Sequence, residues 1–324
     1  MASTPDISVA IILVNWNGFS FTKACLESLK NIDFPDHKII VVDNDSHKPE
    51  GQWLFNEYPE IILIENTQNL GFTGGNNVGI KKALEMGFSH TLLLNNDTEV
   101  EPDFLSKMVS TLQQHPKAGI IQPVICFLEE KQKIWSAGGK WKSRLGSAIT
   151  IGDRNQIQGF EFQENLDWAT GCAMLVSRDA ILQSGLLNDQ YFAYFEDVEW
   201  SLRIRYQGFS IHLSPEAKIY HEAGASSKKK GSEGTLSANV FYWHVRNQFY
   251  LLRGIKKLSK GFEPLESSLD KSPIGIFAYP FHLGRFSLWM IYFLLRGRFQ
   301  KLKAVARGIK DGLFNKLQAI PTWP

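Results

Sequence analysis

Short unbroken apolar runs alternate along the chain with longer stretches in which apolar residues recur every three or four positions. Ile7 to Val14 is the first run; it ends in Asn15-Trp16-Asn17-Gly18, and a helical pattern through Ala24, Cys25, Leu26 and Leu29 follows. Lys38 to Val42 and Ile61 to Ile64 repeat the arrangement, ending in Asp43-Asn44-Asp45-Ser46 and Glu65-Asn66-Thr67. A fourth run, Leu92-Leu93-Leu94, stops abruptly at Asn95-Asn96-Asp97-Thr98. Strands alternating with helices predict an α/β fold, a doubly wound and mostly parallel sheet. In such a sheet the ligand crevice lies beyond the carboxyl ends of the strands, where this chain releases amides and carboxylates.

Between the third and fourth runs, Asn69-Leu70-Gly71-Phe72-Thr73-Gly74-Gly75-Asn76-Asn77-Val78-Gly79 opens a helix through Ala83, Leu84 and Met86. Its glycines let backbone approach a ligand, and a helix N-terminus attracts phosphate. No G-x-G-x-x-G follows the first strand and no Gly-Lys-Ser/Thr loop occurs, which argues against the dinucleotide and P-loop classes. Further on, the pattern predicts a helix to about Gln114 and a strand from Gly119 to Ile125, then an irregular flap or loose hairpin region from Glu129 to Glu164, not a separate domain. A strand from Trp168 to Val176, a helix from Arg178 to Ser184 and two short strands at 208–213 and 217–221 complete an α/β domain over residues 1–235. Residues 236–324 read as a helical extension: Asn239 to Leu252, a break at Pro264 to Pro273, Ile274 to Leu295 and Phe299 to Leu317.

With 324 residues, 44% hydrophobic and 21% charged, the composition is that of an ordinary globular chain. The net charge of +2 hides an asymmetry, because Arg285, Arg296, Arg298, Lys301, Lys303, Arg307, Lys310 and Lys316 crowd the tail and point to an anionic surface. The longest apolar run, Phe286 to Leu295, falls short of the roughly 18 to 20 residues of a spanning helix. It can lie on a membrane, or pack on the α/β domain or a second copy. Cys25, Cys126 and Cys172 lack any metal or redox spacing, which fits a reducing compartment and buried thiols without a chemical role. Met1 to Asp6 shows no export pattern, so a cytoplasmic location is expected. The tail carries no recognition motif, so nucleic acid is not an expected partner.

Two acidic clusters stand out. Asp97 either caps the helix that begins near Asp103 or joins Asp43 at one crevice, where with His221 it would suit a divalent ion bridging a diphosphate. In Tyr191 to Trp200, aromatics crowd Glu196, Asp197 and Glu199 at a helix start. These acids either complement the helix dipole or, partly desolvated by the aromatics, gain the basicity of a proton acceptor.

In this order the pieces closely resemble the family 2 glycosyltransferases with the GT-A fold, and among them the bacterial rhamnosyltransferase-like branch. The resemblance rests on Val9 to Asn17, Val41 to Ser46, Asn69 to Gly79, Leu94 to Asp97, Thr170 to Met174, Glu196 to Glu199 with Arg203, and His221 to Ser226. Arg246-Asn247 and Arg307-Gly308 extend it into the tail. It implies that Asp43 recognises the base, with Asn15, Asn17, Asn44, Asn69, Gly71, Gly74, Asn77, Asn95 and Asn96 also on the donor side. Asn95 to Asp97 stand at the family's D-x-D signature, and Asp97 and His221 would hold a divalent cation, Mg²⁺ or Mn²⁺. Because Asn95 replaces the first carboxylate, that cation would arrive with the donor diphosphate. Asp197 would be the general base, supported by Glu196. Thr170 and Gly171 would border the acceptor, with Trp200 and Glu199 on the same side, Glu199 either as acceptor contact or helix support.

The implied activity is inverting transfer of a sugar from a nucleoside diphosphate, dTDP-rhamnose or a UDP-sugar, to a glycan or lipid-linked glycan in polysaccharide biosynthesis. The tail would then rest on the inner membrane face or join a homodimer. A nucleotide-sugar or carbohydrate-binding module without catalysis, and a sugar nucleotidyltransferase, are the alternatives. The intact Glu196-Asp197 pair argues against the first, and the absence of a basic residue in Asn15 to Ser20 against the second.

Overall fold

A computed structural model describes residues 7–222, 228–231, 233–258 and 274–320. The first apolar runs form β1 (Val9–Asn15), β2 (His37–Asp43), β3 (Ile62–Glu65) and β4 (His90–Leu94), separated by α1 (Phe19–Leu29), α2 (Glu50–Glu57) and α3 (Gly71–Glu85). β1 pairs in parallel with β2 and β4, and β2 with β3, so the four strands release the chain at one edge. The runs are continuously apolar because both faces are covered. Ile11, Leu13, Val41 and Leu92 pack with Cys25, Leu26 and Leu29, whereas Ile12, Ile40 and Leu93 pack with Ile80, Ala83 and Leu84. α3 lies so close to the sheet that a Cβ at Gly79 would stand 2.5 Å from Ile12.

Past β4 the sheet becomes mixed. β5 (Thr98–Val100), α4 (Phe104–Gln114), β6 (Ala118–Phe127), β7 (Ile134–Ser136), β8 (Gly139–Lys142) and β9 (Ser147–Thr150) lead to β10 (Ala173–Ser177), α5 (Arg178–Ser184), α6 (Glu196–Tyr206) and β11 (Ser210–His221). The order across the sheet is β3-β2-β1-β4-β10-β6-β11-β5, with β10 antiparallel to both neighbours and β11 antiparallel to β5.

One local expectation changes. The two short strands at 208–213 and 217–221 are one strand, β11, whose register against β6 shifts between Ser214 and Lys218, where Pro215 cannot donate to the ladder. The flap or hairpin region from Glu129 to Glu164 holds a hairpin, β8 with β9, while β7 pairs with β6. Asp97 caps no helix, because β5 follows it directly and α4 begins only at Phe104.

β12 (Lys228–Gly231) and β13 (Gly234–Leu236) form a second hairpin before α7 (Ala238–Leu258), α8 (Ala278–Leu295) and α9 (Phe299–Phe314). The expected break at Pro264 to Pro273 lies outside the described residues, as does Ala223 to Ser226 of the expected His221 motif. α7 runs six residues past Leu252 because Ile255 and Leu258 continue an apolar contact with Val198, Leu202 and Tyr206 of α6. α9 crosses α7 at Gly308 and Gly312, where added Cβ atoms would meet Val245 at 2.9 Å and the Arg246 carbonyl oxygen at 2.8 Å. Among the described residues no helix is long and apolar enough to cross a membrane.

Candidate active site

The carboxyl edge of the parallel strands carries a dense polar network. Asn15 is fully buried at the end of β1; its amide donates to Asp43 Oδ2 (2.8 Å) and Glu50 Oε2 (3.0 Å), and its carbonyl accepts from Thr22 (2.6 Å). Asp43 is further occupied by the Ser46 amide and hydroxyl, both at 2.9 Å. Asn44 accepts from Asn66 and from the Leu70 N–H while donating to Asn69 Oδ1 and to the Gly71 carbonyl. Asn69 in turn accepts from Gly71 N. This ties the loop before α3 to the end of β2. Asn17, in left-handed backbone at φ 51°, accepts from His47 N, and Asn96 donates to Thr22.

The polar atoms of Asn15, Asn44 and Asn77 bond within the protein and order the loops of the expected donor side. The amide of Asn77 donates to the Leu187 carbonyl and Asp189, and its carbonyl accepts from Leu187 N, so it fastens α3 to the segment before α6. Gly71 has φ 71° and a Cβ there would lie 2.5 Å from the Phe192 carbonyl oxygen. At Gly74 a Cβ would strike Leu70 at 2.6 Å, so both glycines serve close packing.

Beside this edge lies a cavity of about 580 Å³ that brings together Asn95, Asp97, Thr170, Gly171, Glu196, Asp197 and His221. Asn95 is held by its backbone, with N–H to the Cys172 carbonyl (2.8 Å) and its own carbonyl accepting from the Thr98 hydroxyl (2.7 Å). Thr98 and His221 are register partners of β5 and β11, which carries Asp97 to His221. Asp97 Oδ1 is 3.2 Å from His221 Nε2 but outside hydrogen-bond geometry, and neither Asp97 Oδ1 nor His221 Nδ1 has a hydrogen-bond partner. Burial disfavours the imidazolium of His221, yet neighbouring Cys172 and the Asp97 carboxylate outweigh it and push the group up to about 10. Burial also raises the Cys172 thiol, against the opposing pull of His221.

Asp197 sits in the first turn of α6. Its Oδ2 accepts from Gly171 N (3.1 Å) and its Oδ1 from Val198 N (2.8 Å). Burial raises its pKa, against the opposing pull of these two N–H groups. Glu196 is raised much further, first by burial and then by the Asp197 charge, and its Oε2 has no partner. The two carboxyls thus differ in their surroundings: Asp197 has two N–H donors and Glu196 Oε2 has none, so burial disfavours the Glu196 charge more strongly.

Glu199 and Trp200, expected on the acceptor side with helix support as the alternative for Glu199, both lie away from the cavity. Glu199 is 2% exposed and forms a double hydrogen bond with Arg203 (2.9 and 2.8 Å), which also donates to the Leu186 and Ser184 carbonyls. Trp200 is fully buried and donates to the Gly185 carbonyl (2.8 Å). An i,i+4 acid–base pair normally marks a wet helix face; here it faces inward, so neither residue reaches the cavity.

Sequence reasoning missed much of the cavity wall. Trp135 lies edge-on to His221 (4.5 Å between ring centroids), Trp168 follows the β8–β9 hairpin, and His244 of α7 stacks on Tyr194 at 4.3 Å. Burial holds His244 down to about 4, so it is neutral. Such a wall of aromatic faces suits the apolar face of a sugar ring. A clue was present in Arg246-Asn247, which fixes α7 beside the acids.

Among solved structures, S. aureus TarS residues 1–349 with UDP-GlcNAc matches with a TM-score of 0.56 at 16% identity, covering 94% of this chain and 81% of that one. The mannosyltransferase PcManGT from Pyrobaculum calidifontis with GDP-Man and Mn²⁺ matches at 0.53 and 13%, covering 97% and 92%. The fold is thus that of the GT-A glycosyltransferases. The family model for glycosyl transferase family 2 matches residues 10–183, and the chain belongs to that family. A low-salt glycan biosynthesis hexosyltransferase of Haloferax volcanii, Agl10, is 28% identical over 208 residues, 63% of each chain. The dTDP-rhamnosyl transferase RfbF of Shigella flexneri is 26% identical over 218 residues, 66% of this chain and 70% of that one. The chain therefore spans somewhat under two thirds of the haloarchaeal relative's length.

Proposed function

We propose that the protein transfers a sugar, with inversion, from dTDP-rhamnose or a UDP-sugar to a hydroxyl of a glycan or lipid-linked glycan. The observation that carries this reading is the half-buried Asp197 carboxylate, held by Gly171 and Val198 N–H groups in one cavity with Asp97 and His221. A binding module has no use for a carboxylate whose basicity burial has raised; an attacking hydroxyl does. The acceptor oxygen bonds to the anomeric carbon while the carbon–oxygen bond to the diphosphate breaks from the opposite face. Asp197 takes the hydroxyl proton, and the bonding electrons leave with the diphosphate. Asp43, the Asn44–Asn69 network and Asn95 shape the donor edge, and Thr170 and Gly171 border the acceptor.

The donor set fits a divalent cation that arrives with the diphosphate. Asp97 Oδ1 is a buried oxygen without a hydrogen-bond partner beside His221. Among the described residues no group of three or more His, Cys, Asp and Glu side chains gathers as a cage, so a cation held by Asp97 and His221 would draw its remaining ligands from substrate and water. It would offset the charge that develops on the leaving diphosphate.

α8 supports a membrane-surface location. It is apolar all round, yet only Ala278, His282, Phe286 and Phe293 are buried. Leu288 (67% exposed), Ile291, Leu294 and Leu295 (80%) face outward. Residues 278–320 hold eight basic side chains against one acidic one. Exposed apolar surface next to cationic surface matches an anionic bilayer, where a lipid-linked acceptor would be found.

The deciding experiment is a donor screen with and without Mg²⁺ or Mn²⁺ on the native protein and Asp197→Asn. Transfer should fall by about 10²- to 10⁴-fold in the variant while nucleotide binding persists. Full activity in Asp197→Asn overturns the assignment of the base.

A further inference from the structure

The segment that delivers Asp197 is an unusual piece of backbone. Phe192, Tyr194 and Phe195 have φ of 63°, 72° and 71°, the left-handed region that side-chain-bearing residues avoid. Three such residues within four positions persist only where the surroundings impose them. α6 does not impose them: Phe195, the residue before the helix, makes no side-chain cap.

α7 supplies the constraint. The two N–H bonds of the Asn247 amide are shared among three carbonyl oxygens of the segment, those of Tyr191 (2.9 Å), Ala193 (2.7 Å) and Tyr194 (2.9 Å). Asn247 is itself fully buried, and its Oδ1 accepts from Arg246 Nε (2.9 Å). Arg246 Nη2 donates to the Tyr191 carbonyl (3.1 Å) and to that of Gln190. Its guanidinium rests over Trp243 (4.2 Å) and Tyr250 (4.8 Å), so the donor fork is fixed by aromatic faces. The neighbouring His244 stacks on Tyr194 and reaches the cavity wall. One turn of α7 thus grips the carbonyls on which the backbone reversal depends.

We propose that Asn247, with Arg246 behind it, is a positioning residue for sugar transfer: it holds the 191–195 segment in the left-handed form that brings the Asp197 carboxylate onto Gly171 N and into the cavity. The inference rests on the reading of Asp197 as base. Asn247 touches neither the donor edge nor the reacting atoms; it acts through Asp197. Released from α7, the segment relaxes toward ordinary backbone and the carboxylate leaves its two donors. Displacement of a reacting group by about 1 Å is enough to cost a hundredfold in rate.

The test compares Asn247→Ala, Asn247→Asp and Arg246→Lys, alone and combined with Asp197→Asn. Asn247→Asp keeps the shape but offers the carbonyls an acceptor, and Arg246→Lys keeps the charge but loses the fork. Each single variant should lower kcat by about 10- to 100-fold, a larger loss than that in nucleoside-diphosphate affinity, because Asn247 bonds to the carbonyls that lead directly into Asp197. The acidic limb of the kcat/KM profile should shift, because the base has exchanged its surroundings. In the Asp197→Asn background the same substitutions should add almost nothing, the signature of action through one group. Native kcat in Asn247→Ala overturns the proposal, as does a loss that is matched in nucleotide affinity and repeated in full beside Asp197→Asn. An inactive Asp197→Asn beside a fully active Asn247→Ala defeats the clamp alone; a fully active Asp197→Asn defeats the base itself.

Discussion

Gly171 N donates to Asp197 Oδ2 at 3.1 Å, and no larger residue can stand in that glycine's place without pressing on its neighbours. A Cβ there would lie 2.9 Å from the Phe72 ring and 3.6 Å from the Asp197 Cβ. Gly171→Ala should therefore lower kcat by about tenfold or more through displacement of the carboxylate, with nucleotide binding little changed. Steady-state kinetics beside nucleotide titration separates the two effects, and an unaltered kcat would count against a tight fit here.

The pH dependence of transfer follows from the same carboxylate. Its pKa is raised by burial, and the base must be ionised to take a proton. The rate should therefore be full at the alkaline side of that value and fall as pH drops through it, with the midpoint above the ordinary Asp value of 3.8. A kcat/KM profile measured from acid to neutral pH reads this limb; a midpoint at or below 3.8 would contradict the assignment.

Glu196 affects stability in the opposite sense to a paired surface acid. Its folded pKa stands well above the usual 4.5 through burial and the Asp197 charge. The folded state thus binds more protons than the unfolded chain between the two values, so stability is greatest below 4.5 and is lost as pH rises. Glu196→Gln keeps the shape without the titration, and its melting temperature should exceed the native one at neutral pH but not at pH 4. Thermal melts at both pH values give the answer; an equal difference at the two would sink the account.

Arg203 offers a measurement of the core. It pairs with Glu199 at 2.8 Å where both side chains are under 4% exposed. Arg203→Met leaves a buried carboxylate without its partner and should destabilise the fold by about 3–5 kcal/mol. Denaturant titration reads the loss, and a change below about 1 kcal/mol would mean that water reaches Glu199.

Asp97→Ala should weaken donor binding in the presence of Mg²⁺ or Mn²⁺ and leave metal-free nucleotide binding unchanged. An unaltered metal titration in the variant would remove Asp97 from the site. For α8, replacing Leu288 and Ile291 by Glu should reduce sedimentation with vesicles containing anionic phospholipid by about tenfold or more, given about 1.5–3 kcal/mol for each buried apolar side chain. A native protein that ignores such vesicles but dimerises with rising concentration would assign the face to a second copy.

The half of the site built on parallel strands was legible in the chain, because a strand covered on both faces must be apolar and must end where polarity begins. Leu92 to Asn95 shows that rule at its clearest. Asp97 needed β5 to be understood, and three residues, Thr98–Val100, are too few to show a period of two. Glu199 stayed open between acceptor contact and helix support because the spacing of Glu199 and Arg203 is shared by exposed and buried helix faces alike; only packing against α5 tells them apart. The aromatic wall was hidden for another reason. Trp135, Trp168 and His244 come from three distant stretches, and no local pattern marks residues that meet only after folding.

The grip of α7 on the 191–195 segment has a consequence for the order of synthesis. Asn247 follows Ala193 by 54 residues, and the ribosome releases a chain from its N-terminus. The donor edge, made of β1 to β4 and their helices, can settle while the tail is still being made. On the proposed role of Asn247, a nascent or truncated chain that binds nucleotide stays idle, and transfer starts only once the last helices have docked.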